Sequence, residues 1–216
     1  MTRVKVCGIA DPAHALAAAD LGADFVGMVF AASPRQVSVE RAREIALALK
    51  ELRAPPQLVG VFVNTPASEV NRVAAQCQLD CVQLSGDESW DYVRSIRAQV
   101  IRAIRVRHEQ AGPELTAIIE SGLASGAAEF LCLLDCHVEG SYGGTGRAFD
   151  WAVARQVAQR YPVILAGGLT PDNVAEAVRS ARPWGVDVSS GVETNGIKDV
   201  SKIRAFIEAV RAENDR

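Results

Sequence analysis

Eight short apolar, β-branched runs alternate with helical runs along the chain, and this alternation restricts the fold more than any other feature. The strand candidates are 3–7, 24–30, 57–63, 80–84, 100–106, 129–135, 162–166 and 185–189. The helical candidates are 11–20, 38–51, 66–76, 88–98, 114–121, 150–160, 171–181 and 200–212. Regular strand–helix alternation means parallel strands joined by crossover helices. Strands such as 130–134 and 163–166 are almost continuously apolar, as expected when both faces of a sheet are covered. A closed barrel and an open doubly wound sheet both fit that pattern. A dinucleotide-binding open sheet would place a glycine-rich turn after its first strand, and Cys7-Gly8-Ile9-Ala10-Asp11 is not such a turn. The expected fold is therefore α/β, a single (β/α)8 barrel with a closed, parallel, eight-stranded sheet and one domain over residues 1–216.

Local signals support the helices. Thr65-Pro66 and Thr170-Pro171 place a capping hydroxyl before a proline, which is tolerated at a first helical position. Gly22 follows the first helix, where a left-handed residue is wanted. At 216 residues the chain sits at the compact end for such a barrel, which needs about 200.

Charge and cysteine usage narrow the function. A net charge of −3 with no basic block argues against nucleic acid or an anionic membrane as partner, while leaving room for a local patch that binds a small anion. No apolar run approaches the ~18 residues of a membrane span. The N-terminus enters a strand pattern at once, without space for a secretion signal, so the expected location is cytoplasmic. Five cysteines scattered through strand-like segments do not form a disulfide framework and suit reduced thiols. The pairs Cys77/Cys81 and Cys132/Cys136, with His137 adjacent, raise a zinc reading. Their spacing is not CxxC, and Cys132 sits among leucines, so buried apolar cysteine is preferred and no metal is expected.

Glycines concentrate where a barrel enzyme holds its active site, after the last three strands. They are Gly143-Gly144-Thr145-Gly146, then Gly167-Gly168, then Ser189-Ser190-Gly191. Such segments let backbone N–H groups approach an anion, and a short helix starting near Ser190 would add its positive end. Barrels often bind phosphate with the loops after strands seven and eight. Tight turns alone would also use these glycines, but two pairs at the expected strand ends favour phosphate.

Two proton-transfer candidates close strands one and six. Leu131, Leu133 and Asp135 share one face of their strand and Cys132 and Leu134 the other, so if Asp135 faces the barrel mouth, Cys132 faces the helices. Lys5 and Cys7 point together by the same parity. Cys7 is either a core cysteine or a base, since a thiol accepts a proton only as thiolate, which nearby positive charge would favour. Asp135 follows a buried Leu-Cys-Leu-Leu run, where a carboxylate is costly unless paired or used, or else it caps the next turn. Arg35 is either a solvated side chain or a planar fork for a carboxylate. Strands one and eight adjoin in a closed barrel, so Lys5 and Asp187 are expected to form a buried ion pair low in the barrel.

In order along residues 3 to 208, the chain carries Lys5-Val6-Cys7-Gly8-Ile9, Ser33-Pro34-Arg35, Val82-Gln83-Leu84, Gly143-Gly144-Thr145-Gly146, Ala166-Gly167-Gly168-Leu169 and Asp187-Val188-Ser189-Ser190-Gly191-Val192-Glu193. This ordered set resembles the phosphoribosylanthranilate isomerases. The resemblance implies an Amadori rearrangement in tryptophan biosynthesis, without metal or cofactor, on a small-molecule phosphosugar, by a monomer or homodimer. It implies that Asp135 is the general acid, Cys7 the general base and Arg35 the contact for the anthranilate carboxylate. It also implies that backbone donors around Gly144, Gly167, Gly168, Ser190 and Gly191 hold the phosphate. One departure stands out: where the family often has histidine after Val-Gln-Leu, this chain has Ser85. The alternatives are another phosphosugar barrel isomerase, which would not normally end strand one in Cys-Gly-Ile, and a non-catalytic phosphate-binding barrel. Turnover separates the second from an enzyme.

Overall fold

The computed structural model describes residues 1–106, 112–126, 130–135 and 151–214. Its elements run β1 (Arg3–Cys7), α1 (Pro12–Asp20), β2 (Phe25–Val29), α2 (Val39–Lys50), β3 (Gln57–Phe62), α3 (Ala67–Cys77), β4 (Cys81–Leu84) and α4 (Trp90–Arg94). They continue β5 (Gln99–Arg105), α5 (Gly112–Ala124), β6 (Phe130–Asp135), α6 (Trp151–Ala158), β7 (Val163–Ala166), α7 (Val174–Ala181) and β8 (Gly185–Val188). A two-stranded hairpin, β9 (Glu193–Thr194) and β10 (Ile197–Lys198), precedes α8 (Val200–Asn214). Strands β1 to β8 pair in sequence order, all parallel, and β8 pairs back onto β1, which closes the barrel. No helix among the described residues is long and apolar enough to cross a membrane.

Side-chain alternation divides the core in two. Val4, Val6, Val26, Met28, Cys132 and Leu134 pack toward the helices. Phe25, Val59, Cys81, Ile101, Leu133, Ile164 and Ala166 form a separate cluster inside the barrel, with Leu131 packed against it. The parity expected on β6 is observed: Leu131 and Leu133 face inward, with Asp135 two residues further along, and Cys132 faces out. Cys77 and Cys81 likewise fall in different compartments, so they do not converge on a common point. Burial pushes Cys81 up to about 11 and Cys132 up to about 12, which keeps both as neutral thiols.

The seam between the chain's two ends is pinned from the helix side. Arg211 on α8 donates to the Thr2 carbonyl at 3.0 Å and to Asp24 Oδ2 at 3.0 Å. Asp24 Oδ2 also accepts the Val4 N–H at 2.8 Å, so one carboxylate ties β1, the start of β2 and α8 together.

Three expectations need correction. Neither Thr65 nor Thr170 caps a helix. Residue 66 is itself the N-cap of α3, with no side-chain cap bond, and the Thr65 hydroxyl turns back to the Val63 carbonyl. α7 starts later than expected because Asn173 holds the preceding turn, accepting from Thr170 N at 2.8 Å and donating to the Gly168 carbonyl at 3.0 Å. α4 is short at both ends. Ser89 caps its start, Ser95 closes its last turn, and Glu88 is drawn away into the loop after β4.

Candidate active site

At the C-terminal ends of the strands lies a cavity of about 230 Å³, lined by Gln83, Asp135, Gly167, Gly168, Asp187, Ser189, Ser190 and Gly191 among others. A larger groove of about 810 Å³ opens at the opposite end, between residues that precede β1, β7 and β8, such as Thr2, Pro162 and Trp184. Barrel chemistry belongs at the C-terminal face. The smaller cavity also holds the carboxylates and the glycine loops, so it is the candidate site.

One corner of the cavity, where phosphate is expected, is built by two crossing loops. Gly167 and Gly168 have φ of +92° and +68°, conformations that L side chains rarely adopt. After β8 the chain makes one 3-10 turn, Ser190–Val192, as expected for a short helix near Ser190. A Cβ at Gly191 would collide with the Leu169 carbonyl oxygen and lie 3.2 Å from Thr170 Cα. That position is glycine because the β7 loop crosses directly over it. Gly144, with the rest of the loop 143–146, lies outside the described residues, as do Cys136 and His137.

Cys7 is buried at the β1 edge of this site and does not line the cavity itself. Its neighbour is Lys5, whose Nζ donates to Asp187 Oδ1 at 2.8 Å and whose positive charge acts on the thiol. An ideal Cβ at Gly27 would sit 2.9 Å from Cys7 Sγ and 3.2 Å from Lys5 Nζ. The absence of a side chain on β2 is therefore what leaves room for both inside the barrel. The ion pair exists, but it does not lie low: Asp187 lines the mouth cavity, and the long lysine stem carries its ammonium up to the thiol. Burial raises the Cys7 thiol above its ordinary value. Lys5 and, more weakly, Lys198 pull it down, and Asp187 pushes it up. Positive charge near the thiol is present as anticipated, but desolvation outweighs it. Burial also works against the Lys5 ammonium, yet Asp187 and Cys7 prevail and hold it above the usual lysine value.

Arg35 does not line the cavity either. Its Nε and Nη2 grip Glu193 Oε1 and Oε2, both at 2.7 Å, and that carboxylate is almost fully buried. The planar fork anticipated for a ligand carboxylate is thus occupied along one edge by an internal one. Lys198 completes the group, 2.5 Å from Glu193 Oε1 and 3.0 Å from the Ser189 carbonyl. Ser189 lines the cavity, which links this cluster to the glycine-loop corner. Gly8 sits where they meet. Its φ is +76°, and a Cβ there would lie 2.6 Å from Arg35 Cδ and 3.3 Å from Lys198 Nζ.

Sequence reasoning missed Glu193 and Lys198, and it missed Gln83. Gln83 is 6% exposed and lines the cavity; its amide nitrogen donates to Ser85 Oγ at 3.1 Å. Among the described residues its buried Oε1 has no hydrogen-bond partner. The loop carrying Ser85 is fixed from below: Arg102 donates to the Leu84 and Gly86 carbonyls, each at 3.1 Å, and to Glu88 Oε2 at 2.9 Å.

Comparison with known proteins gives the arrangement its context. Residues 4–209 match the family model described as N-(5'phosphoribosyl)anthranilate (PRA) isomerase. The N-(5'-phosphoribosyl)anthranilate isomerase of Dehalococcoides mccartyi is 48% identical over 211 residues, covering 98% of this chain and 96% of that protein. The crystal structure of phosphoribosyl anthranilate isomerase from Thermotoga maritima superimposes with a TM-score of 0.84 at 39% identity, covering 98% of this chain and 100% of that one. A phosphoribosyl anthranilate isomerase in complex with reduced 1-(o-carboxyphenylamino)-1-deoxyribulose 5-phosphate gives 0.81 at 37% identity, with the same coverage. With the barrel closed, glycine loops lining the cavity at its mouth and relatives matching from end to end, this chain belongs to the N-(5'-phosphoribosyl)anthranilate isomerase family.

Proposed function

We propose that residues 1–216 form a single-domain cytoplasmic enzyme that isomerises N-(5'-phosphoribosyl)anthranilate to 1-(2-carboxyphenylamino)-1-deoxyribulose 5-phosphate in tryptophan biosynthesis. The phosphate binds at the corner made by Gly167, Gly168, Ser190 and Gly191, with Gly144 contributing from its loop. Arg35 meets the anthranilate carboxylate. Anchoring both ends of the substrate fixes the ribose between them, so that binding energy remote from the reacting atoms supplies their orientation.

Asp135 delivers a proton to the ribose ring oxygen. The C1–O bond breaks as the aniline nitrogen's lone pair forms a C1=N bond, giving the open-chain Schiff base. The Cys7 thiolate then removes the proton on C2. Those electrons form a C1=C2 bond, the C1=N pair returns to nitrogen, and the resulting enolamine tautomerises to the ketone. Each proton transfer by a positioned group is typically worth 10²–10⁴-fold. Lys5 and Lys198 favour the thiolate over the thiol, and the unpartnered Gln83 acceptor suits a sugar hydroxyl entering the cavity.

The observation that carries this reading is a buried thiol packed beside the Lys5 ammonium, at the edge of a cavity that also contains a carboxylate and the glycine loops. The test is loss of anthranilate-type fluorescence on adding phosphoribosylanthranilate to metal-free protein. Cys7→Ser and Asp135→Asn are each expected to lower kcat by at least about 100-fold while leaving the unfolding midpoint near the parental value. Near-normal kcat in both variants would refute the assigned roles even if the activity itself were confirmed.

A further inference from the structure

The cluster that joins Arg35 to the hairpin is densely bonded, and apart from the weak pull of Lys198 on Cys7 the acid–base scheme gives it no role. Glu193 and Lys198 are directly paired across the antiparallel β9–β10 hairpin. The turn that makes this pairing possible runs through Asn195 and Gly196, both at positive φ, 53° and 78°, as a two-residue hairpin turn requires. Both side chains point inward, and their exposures are 6% and 3%. A buried carboxylate is expensive unless it is paired and hydrogen-bonded. Here it has three charge-assisted bonds, two from Arg35 and one from Lys198. Burial alone would raise the Glu193 carboxyl, but Arg35 and Lys198 hold it below the usual carboxylate range, so it stays ionised.

Arg35 remains 29% exposed at its side chain, and among the described residues its Nη1 donates to nothing. A guanidinium gripped along its Nε–Nη2 edge has lost its rotational freedom and can offer only the other side to a ligand. We propose that Glu193, locked by Lys198, is a positioning residue that sets Arg35 to receive the substrate's aromatic carboxylate. The hairpin would then decide whether the enzyme distinguishes a carboxylated aniline from a plain one. This inference rests on the reading of Arg35 as the carboxylate contact.

An opposite role is also physically definable. Glu193 would then be an internal competitor that the substrate carboxylate must displace, and neutralising it would strengthen binding.

The experiment uses the full-length protein and two probes. One is reduced 1-(o-carboxyphenylamino)-1-deoxyribulose 5-phosphate, and the other is its counterpart lacking the ring carboxylate. Dissociation constants are measured by calorimetry for the parent, Glu193→Gln, Lys198→Met and Arg35→Gln. Glu193→Gln is expected to weaken the carboxylated probe by about tenfold or more, the usual worth of a charged hydrogen bond, while the other probe changes by less than about twofold. Lys198→Met should act in the same direction. Glu193→Asp keeps the charge with a shorter reach and provides a second route if the glutamine variant folds poorly; it too should weaken only the carboxylated probe.

If Arg35→Gln leaves the discrimination between probes intact, the carboxylate reading of Arg35 fails and the inference fails with it. If Arg35→Gln abolishes discrimination but Glu193→Gln and Glu193→Asp preserve it, Arg35 stands and the positioning role is overturned. Tighter binding of the carboxylated probe to Glu193→Gln would establish the competitor instead. Equal weakening of both probes would reduce Glu193 to a structural support.

Discussion

Cys7 illustrates how a single residue is governed by two opposed effects. Burial removes the water that would solvate a thiolate and raises the thiol, while the neighbouring Lys5 ammonium pulls the other way and falls short. In the proposed mechanism the reactive form is therefore the minor one at neutral pH, and kcat/KM is expected to climb with pH through the alkaline range as the thiolate forms. The sign for Lys5→Met follows directly. Removing the ammonium takes away a stabiliser of the thiolate and leaves Asp187 facing the sulfur, so the thiol rises further. Its climb should then move to higher pH, with a loss of activity at pH 7. A kcat/KM profile whose midpoint is unchanged in Lys5→Met would show that the ammonium does not act on the thiol. Cys81 and Cys132, held as thiols by burial, should play no part in either profile.

At the scale of elements, the loops after β7 and β8 can be tested through their glycines. Among the described residues nothing lies within 4 Å of a Cβ at Gly168, so against them Gly168→Ala brings only the backbone strain of its positive φ. Gly191→Ala places a methyl into the backbone of Leu169 and Thr170, neither of which can rotate away. The crossing loops must separate, and the anion corner opens with them. Ribose 5-phosphate binding, measured by calorimetry, should be weakened about tenfold or more by Gly191→Ala and clearly less by Gly168→Ala, since left-handed strain is of the order of 1–2 kcal/mol and falls mainly on stability. Equal effects would mean that the crossing does not shape the phosphate site.

The same elements show what a sequence can and cannot convey. Strand positions were legible to within about a residue because burial on both faces writes apolar runs directly into β2, β6 and β7. The Lys5–Asp187 pair was legible too, since closure makes β1 and β8 neighbours and parity turns both residues inward. Its height was not, because that depends on how far a lysine stem extends. The Thr65 and Thr170 caps failed because other bonds, from the Thr65 hydroxyl to the Val63 carbonyl and from the Thr170 N–H to Asn173 Oδ1, competed for the same turns. Glu193 stayed hidden as the partner of Arg35: the two are 158 residues apart and meet only through the hairpin's path. Desolvation at Cys7 was equally out of reach, since depth is a property of the folded barrel.

For the molecule as a whole, the first and last strands must meet before the site exists, and a buried ion pair lies on that seam. Lys5 is 1% exposed and Asp187 11% at their side chains, and 182 residues separate them. Such a pair contributes little net stability, because desolvating both charges offsets most of their attraction, but losing one partner strands the other. Asp187→Leu should therefore lower the unfolding free energy by about 3–5 kcal/mol in a urea titration. The double variant Lys5→Met/Asp187→Leu removes both charges and fills the space with apolar atoms, so it should recover most of that loss and fold close to parental stability. Turnover should not recover with it. The double variant has no ammonium beside Cys7, and its activity at pH 7 is expected to stay as low as that of Lys5→Met. Restored stability with absent activity would place the pair in the service of the thiol, whereas a double variant as unstable as Asp187→Leu would mean that the barrel depends on the pair to close.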